Sequence, residues 1–304
     1  MEITVLEKRV LSSDKIHNLY GKVYVPSGEI KGIFQVVHGM TEHIGRYDSF
    51  MKIMAQYGYV TFGYDHLGHG NTAKDESELG FIAHKDGYKF LIEDVAVFAN
   101  EVRKEYGENL PYYLLGHSMG SFIVRCSALK NVPTKLIVMG TGGENKAATT
   151  GIALIKSIKT VRGEMHFSKL VDKIAFGAYN TKFINEKDGC SWLTKDEEIR
   201  RLYKEDKFCT FKFTVSAMQD LMKLLVLCNS KKWYENLSKD LPILLVSGED
   251  DPVGNFGKGI YEVHSRLEEQ GIDAKMILYK DCRHEILNDT SKEDVIRDIL
   301  EFIS

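Results

Sequence analysis

A serine flanked by glycines follows a short apolar run in the first half of the chain. In the stretch GHSMG, Ser118 lies two residues from Gly116 and two residues from Gly120. A G-x-S-x-G pattern arises by chance in about one chain of this length in ten, so the five residues alone do not establish a nucleophile. The apolar strand before Ser118 and the helical pattern after it predict a sharp turn that exposes its hydroxyl. This context favours a nucleophilic serine over one that only caps a helix.

A serine hydroxyl needs a base to take its proton, and the chain has ten histidines. In serine hydrolases built on a mostly parallel sheet, that histidine lies in a loop after the last strand. His284, in LYKDCRHEIL, follows the last predicted strand, whereas His264 lies within a predicted helix. We therefore expect His284 to be the general base.

Two adjacent aspartates could orient this histidine. Asp250 and Asp251 follow the apolar run ILLVSG. A carboxylate in this position would hold the imidazole in one tautomer and stabilise its protonated form. Asp251 precedes Pro252, which fixes a turn, and lies one residue further from the strand. The spacing favours Asp251 slightly and leaves Asp250 as an alternative.

Two backbone N–H groups are expected to stabilise an oxyanion next to Ser118. Met119 begins the helix that follows the serine, and Met40 follows Gly39 in VVHGMTEH. The glycine allows the chain to turn, so that the Met40 N–H can face the nucleophile. His38, before that glycine, is expected to brace the loop rather than to transfer protons.

The stretch YDHLGHG contains Asp65, His66 and His69, a combination that could suggest a metal site. The glycines leave no helix that would align the two imidazole rings, and no further ligand is apparent. We expect loop structure here, and we predict that the reaction uses neither a metal nor a cofactor.

Short apolar runs alternate with helical segments along most of the chain. This pattern predicts an α/β fold with a mostly parallel central sheet and helices on both faces. Residues 3–25 alternate apolar and polar side chains, which indicates two antiparallel strands at the sheet edge. The alternation stops near residue 143 and resumes near residue 241. We therefore predict a core formed by 1–143 and 233–304, with 144–232 as a helical cap over the site.

Composition narrows the class of partner. The formal net charge of -3 gives no basic field for nucleic acid. The predicted cap differs from the core, since it holds 17 lysines and arginines against 11 aspartates and glutamates. Its lysines could meet anionic headgroups, so peripheral membrane contact through the cap is expected. The sequence does not indicate the oligomeric state.

Cysteine usage and the first residues predict a cytoplasmic protein. The five cysteines are scattered and contain no C-x-x-C pair, which is typical of reduced thiols inside the cell. The stretch MEITVLEKRV has charged residues and no apolar signal-peptide core. No apolar run reaches the length of about 18 residues that predicts a membrane span.

Five sequence blocks together resemble one branch of the α/β-hydrolase superfamily. HGMTEHIGRY, YDHLGHG, LLGHSMG, SGEDDPVG and RHEIL are similar to the monoacylglycerol lipase and lysophospholipase-like branch, which is grouped with serine aminopeptidase-type hydrolases. The resemblance covers both core segments, about 1–143 and 233–304, but does not extend residue by residue to the predicted cap. It implies an α/β-hydrolase fold with a helical cap.

The same resemblance implies roles for individual residues. Ser118 matches the nucleophile, His284 the base, and Met40 and Met119 the donors of the oxyanion hole. Asp251 matches the acid, because the family's acid precedes a pair like Pro-Val.

The residues and the resemblance together predict a serine hydrolase of carboxylic esters that forms an acyl-enzyme. The expected substrate is a small acyl ester of lipid type, such as a monoacylglycerol or a lysophospholipid. One alternative is an aminopeptidase or amidase of the proline-iminopeptidase type, which would need an acidic pocket for the substrate amine. A second alternative is a ligand-binding module with the hydrolase fold and low turnover.

Overall fold

A computed structural model describes residues 2–304. Eight strands form one sheet: β1 Ile3–Leu11, β2 Asn18–Pro26, β3 Gly32–Val37, β4 Tyr59–Tyr64, β5 Tyr112–His117, β6 Lys135–Met139, β7 Ile243–Gly248 and β8 Ala274–Tyr279. Their order in the sheet is β1-β2-β4-β3-β5-β6-β7-β8. β1 pairs antiparallel with β2, and β2 pairs antiparallel with β4, whereas the remaining neighbours are parallel. The prediction of a mostly parallel sheet with two antiparallel edge strands is confirmed.

Within the described residues, ten α-helices connect or follow these strands. They are α1 Asp48–Gln56, α2 Gly87–Tyr106, α3 Met119–Ser127, α4 Lys146–Arg162, α5 Lys169–Phe176, α6 Glu197–Glu205, α7 Val215–Cys228, α8 Lys231–Asn236, α9 Lys258–Glu269 and α10 Lys292–Ile303. Helices α1, α2, α3, α9 and α10 follow sheet strands directly. Helices α4 to α7 lie within 144–232, where the sequence predicts the insertion, and α8 extends from the end of this segment into the predicted core.

The sheet is covered on both faces, as uninterrupted apolar strands require. Every residue of β3, β4, β5 and β7 is buried. Side chains of α1 and α10 pack in one apolar cluster with one face of the sheet, and side chains of α2, α3 and α9 pack in a second cluster with the other. A parallel sheet buried on both sides accounts for strands that read as continuous hydrophobic runs. The predicted α/β-hydrolase architecture is confirmed at this level.

The insertion packs onto helices that cover the sheet. α7 packs against α2 and α3, and α4 packs against α7. Leu224 and Cys228 of α7 are fully buried among the residues of the second cluster. The insertion is therefore anchored over α3, the helix that follows Ser118. Ser118 itself lies at the carboxyl edge of the parallel strands. Within residues 2–304, none of the helices combines the length and apolar character needed to cross a membrane.

Candidate active site

Ser118 lies at a strained turn between β5 and α3. Its backbone φ is 55° and its ψ is -120°, in the left-handed half of backbone space that residues with a Cβ rarely adopt. The neighbouring glycines make this turn possible. A Cβ at Gly116 would lie 2.3 Å from the carbonyl oxygen of Gly120, and a Cβ at Gly120 would lie 2.1 Å from that of Val37. The sequence G-x-S-x-G therefore encodes the close approach of strand and helix that presents the Ser118 hydroxyl.

His284 and Asp251 form a buried pair at the carboxyl ends of β7 and β8. The distance from Nδ1 of His284 to Oδ2 of Asp251 is 2.9 Å. Asp251 also accepts hydrogen bonds from the Val253 N–H at 2.8 Å and the Ser247 hydroxyl at 3.1 Å. Burial opposes the charge of Asp251, but the interaction with His284 and these hydrogen bonds lower its pKa. The carboxylate therefore requires a proton on Nδ1 of His284, which leaves Nε2 as the basic nitrogen.

Nε2 of His284 is buried, and within residues 2–304 it has no hydrogen-bond partner. Ser118 and His284 line the same cavity. The backbone of the His284 loop is held by the insertion, because the His284 and Glu285 N–H groups donate to the carbonyl oxygens of Trp192 and Leu193. The insertion thus holds the loop of His284, the predicted base, and also forms part of the cavity wall.

The side chain of Asp250, the alternative acid, binds a lysine instead of His284. Its Oδ1 binds the ammonium group of Lys182, which lies in the insertion. The structure brings Asp251 to the imidazole and leaves Asp250 as a partly exposed ion-pair partner. The residue next to Pro252 is thus the one in position to orient His284.

The two expected oxyanion donors lie in segments next to Ser118. A Cβ at Gly39 would be 3.0 Å from Cβ of Ser118, so the loop that carries Met40 lies directly against the serine. Met119 is the first residue of α3, where an N–H has no acceptor within its own helix. Across residues 2–304 neither the Met40 N–H nor the Met119 N–H has a hydrogen-bond acceptor. Both donors are free to bind an oxyanion.

The segment 38–43, which follows β3 and carries Met40, is called the oxyanion loop. His38 of this loop forms a buried cluster with His66 and His69. Nδ1 of His38 donates to the Gly39 carbonyl oxygen at 2.8 Å, and Nε2 accepts from the His66 N–H at 3.1 Å. Burial lowers the pKa of His66 to about 3 and that of His69 to about 4. Neutral rings in fixed tautomers support the interpretation of these histidines as loop structure. Asp65 binds the N–H groups of Ile44 and Asn71 rather than these rings.

One group of side chains within residues 2–304 has the composition of a metal site. His43, Asp206 and Cys209 have potential ligand atoms within 4.8 Å of one another. Nε2 of His43 lies 2.9 Å from Oδ2 of Asp206, the separation of a hydrogen bond. The pKa of Cys209 is raised, mainly by burial, which disfavours the thiolate that a metal would require. We assign this group as a contact between the oxyanion loop and the insertion. All five cysteines are buried and unpaired with one another.

Sequence reasoning missed a buried network of charged residues beside the predicted catalytic residues. Arg46 forms a bidentate ion pair with Glu285 at 2.6 and 2.7 Å and also binds Glu42 at 3.0 Å. Glu42 in turn accepts a hydrogen bond from the hydroxyl of Tyr47 and contacts His117. The blocks HGMTEHIGRY and RHEIL contain most of these residues, but their separation in sequence gives no sign that the two blocks meet.

A cavity of about 840 Å³ opens above Ser118. Helices α4, α5 and α7 provide much of its apolar wall, including Leu154, Ile155, Val171, Phe176, Leu221 and Leu225. Several charged side chains also line it. Each of the five carboxylates among them has a cationic partner: Glu42 and Glu285 pair with Arg46, Glu144 and Glu262 with Arg266, and Asp172 with Lys212.

The sheet order, the serine turn and the long insertion after β6 define an α/β hydrolase. The sequence matches the family described as "Serine aminopeptidase, S33" over residues 28–291, and the chain belongs to that family. Rat monoglyceride lipase is 35% identical over 105 residues, which cover 34% of this chain and 32% of that lipase. A monoacylglycerol lipase from Mycolicibacterium smegmatis is 22% identical over 285 residues, 92% of this chain and 91% of that enzyme.

Structural similarity extends over nearly the whole chain. A thermostable carboxyl esterase from Bacillus coagulans, solved in complex with glycerol, has a TM-score of 0.93 and 28% identity. The match covers 99% of this chain and 98% of that esterase. By contrast, the chain spans only about a third of the length of the curated relatives it first matches. These matches confirm the resemblance to the monoacylglycerol lipase-like branch of the α/β hydrolases.

Proposed function

We propose that this protein hydrolyses carboxylic esters of a small lipid-like acyl compound, such as a monoacylglycerol or a lysophospholipid. The observation that carries the proposal is the convergence of three features on one cavity. These are a serine at a strained turn, a histidine whose Nδ1 binds a buried carboxylate, and two backbone N–H groups without acceptors among residues 2–304. The family membership and the printed names of the relatives support an ester hydrolase.

In the proposed mechanism, Oγ of Ser118 attacks the acyl carbon while Nε2 of His284 takes its proton. Asp251 stabilises the imidazolium that forms. The oxygen of the tetrahedral intermediate accepts hydrogen bonds from the N–H groups of Met40 and Met119. The intermediate collapses by expelling the alcohol, which receives the proton from His284.

The second half of the cycle releases the acid. Water loses a proton to Nε2 of His284 as it attacks the acyl-enzyme, and a second tetrahedral intermediate uses the same two N–H donors. Its collapse returns the proton to Oγ of Ser118 and frees the carboxylic acid. The site chemistry needs only these side chains and N–H groups.

The proposed cap role of 144–232 is supported by the apolar wall that α4, α5 and α7 contribute. An acyl chain against this wall would gain about 0.8 kcal/mol for each methylene removed from water. We therefore expect kcat/KM to rise by about fourfold for each added CH₂ and then to level off when the wall is covered.

The amidase alternative needs a free carboxylate to bind a substrate amine. The five carboxylates that line the cavity are instead paired with Arg46, Arg266 and Lys212. This pairing favours an uncharged or anionic substrate over a cationic amine. The alternative of a binding module with low turnover does not account for the free N–H groups beside Ser118.

We also propose that the cap contacts membrane surfaces through α5. Leu170 and Ile174, four residues apart on this helix, are 55% and 63% exposed. Lys169 and Lys173 are spaced in the same way along the helix, so apolar and cationic side chains run side by side. Such a face suits an interfacial helix on an anionic bilayer.

The experiment for the proposed function combines labelling and turnover. The protein is treated with a fluorophosphonate probe and assayed with monoacylglycerols, lysophospholipids, p-nitrophenyl esters of increasing chain length and aminoacyl anilides. We expect labelling at Ser118, steady turnover of the esters, and none of either in Ser118→Ala. Turnover of the anilides alone would contradict the ester assignment, and labelling without turnover of any ester would favour the binding module.

A further inference from the structure

His117 precedes the proposed nucleophile in sequence and packs against the proposed base, and the mechanism above gives it no role. It is the last residue of β5, directly before Ser118, and it is 3% exposed. Its imidazole ring lies against that of His284, with ring centroids 4.6 Å apart. Trp192 also contacts the His284 ring, at a centroid separation of 5.0 Å. The proposed base is therefore packed against two aromatic side chains, one of which can carry charge.

The hydrogen bonds of His117 require a proton on each ring nitrogen. The Tyr47 hydroxyl donates to Oε1 of Glu42 at 2.9 Å, because a carboxylate can only accept. That hydroxyl has a single proton, so it accepts from Nδ1 of His117 at 2.8 Å. Nε2 of His117 lies 3.2 Å from the backbone carbonyl oxygen of His284, which also only accepts. Both ring nitrogens are therefore donors, and His117 is an imidazolium.

The surrounding charges balance this cation. Glu42 and Glu285 are buried, and the guanidinium of Arg46 binds both of them. One guanidinium against two carboxylates leaves an excess negative charge unless His117 is protonated. Burial opposes the charge of His117, but its hydrogen bond to Glu42 and the charge of that carboxylate raise its pKa. Geometry and charge balance thus point to the same protonation state.

On the basis of the proposed function, we propose that His117 is a positioning residue that, as an imidazolium, fixes the loop of His284 relative to the loop that carries Met40. Its Nε2–H holds the His284 carbonyl oxygen. Its Nδ1–H binds Tyr47, whose partner Glu42 accepts from the Gly39 N–H of the oxyanion loop.

The charged and titratable groups facing His117 come from two loops. Glu42, Arg46 and Tyr47 follow β3, whereas His284 and Glu285 follow β8. Burial opposes the charges of both glutamates, but contacts with His117 and Arg46 hold the pKa of Glu42 well below its usual value, and Arg46 lowers that of Glu285. On the side of β6, Gly140 brings no charge; a Cβ there would lie 3.3 Å from Cδ2 of His117.

The first test measures kcat/KM for a soluble ester against pH in His117→Gln and in a matched control, His264→Gln. Glutamine can donate to the His284 carbonyl oxygen but has no charge. His264 also binds a backbone carbonyl through Nε2, that of Ala274 on β8, and lies outside the cavity. We expect about tenfold lower kcat/KM in His117→Gln at neutral pH, and a smaller loss at alkaline pH, where His117 of the parent protein also loses its charge. The control should keep the parent profile.

A loss of the same factor at every pH in His117→Gln would mean a purely structural role and would overturn the proposal. A second measurement needs neither activity nor a variant at His117. In Ser118→Ala protein labelled with ¹⁵N at histidine, NMR should assign protons to both ring nitrogens of His117 near neutral pH. A neutral tautomer there would overturn the inference, whereas failure of the proposed function would appear as the absence of fluorophosphonate labelling in the parent protein.

Discussion

Arg46 and Glu285 form a buried bidentate ion pair that joins the loop after β3 to the loop after β8. The two N–O distances are 2.6 and 2.7 Å, and both side chains are about nine-tenths buried or more. One loop carries Met40, the proposed oxyanion donor, and the other carries His284, the proposed base. The pair therefore fixes two proposed parts of the catalytic machinery relative to each other.

Replacing Arg46 by Met should destabilise the fold, because it leaves two buried carboxylates without their cation. We expect the free energy of unfolding to fall by about 3–5 kcal/mol, measured by urea denaturation. Arg201→Met is the control, since Arg201 pairs with Glu198 and Glu205 on the surface of α6 and its loss should change little. The double variant Arg46→Met/Glu285→Gln should recover part of the loss. A stability equal to that of the Arg201 variant would mean that the buried pair is not needed.

Ser118→Ala and His284→Ala should each lower kcat by at least about 10⁴-fold, and the double variant should be little worse than either. The reason is that the proton transfer needs both partners, so that removing the second one removes nothing more. Steady-state and single-turnover kinetics with one ester provide the measurement. Losses that multiply in the double variant would contradict the assignment of these two residues to one step.

Asp251→Asn should lower kcat by about four orders of magnitude, because the amide can hold the wrong imidazole tautomer. Asp250→Asn is the matched control: the same change one residue away removes only the partly exposed ion pair with Lys182. We expect its kcat to stay within a few-fold of the parent value. The opposite ranking of the two variants would move the acid to Asp250.

The buried histidines His66 and His69, which follow β4, should make the fold sensitive to acid. Their pKa values of about 3 for His66 and about 4 for His69 lie below the ordinary value of 6.5, so the unfolded chain binds more protons. Stability should therefore fall as the pH drops from 6.5 towards 4, by about 1.4 kcal/mol per pH unit for each of the two histidines. Urea denaturation at a series of pH values measures this slope.

A variant identifies the source of that slope. His66→Gln should reduce it by the contribution of one proton, whereas His84→Gln, at a side chain that is 80% exposed, should leave it unchanged. An unchanged slope in His66→Gln would show that the acid sensitivity has another origin.

Vesicle binding tests the proposed membrane face of α5. Lys169→Gln should weaken binding to anionic vesicles by about fivefold at low salt, since each lysine near such a surface contributes about 1 kcal/mol. Leu170→Glu should weaken it further, while Leu129→Glu, at an exposed leucine that follows α3, should not. Sedimentation with anionic and neutral vesicles at two salt concentrations is the measurement. Equal binding to both lipids at both salt concentrations would exclude the electrostatic part of the proposal.

The sequence by itself determined the alternation of strands and helices and the residue types that could carry out the reaction. Apolar runs of strand length, separated by helical segments, require a parallel sheet covered on both faces, because only that arrangement buries them. The glycines around Ser118 carry information about contacts, since a Cβ at either position would collide with backbone. The order of serine, aspartate and histidine along the chain could be predicted because each follows a recognisable strand.

Only the tertiary structure decided which side chains meet. Asp250 and Asp251 are adjacent in sequence, and the turn at Pro252 directs one to His284 and the other to Lys182. The network of Arg46, Glu285 and His117 joins residues that are 71 to 239 positions apart in the sequence. No local pattern encodes such pairs, because their energy comes from burial and charge compensation that exist only when the loops after β3, β5 and β8 come together.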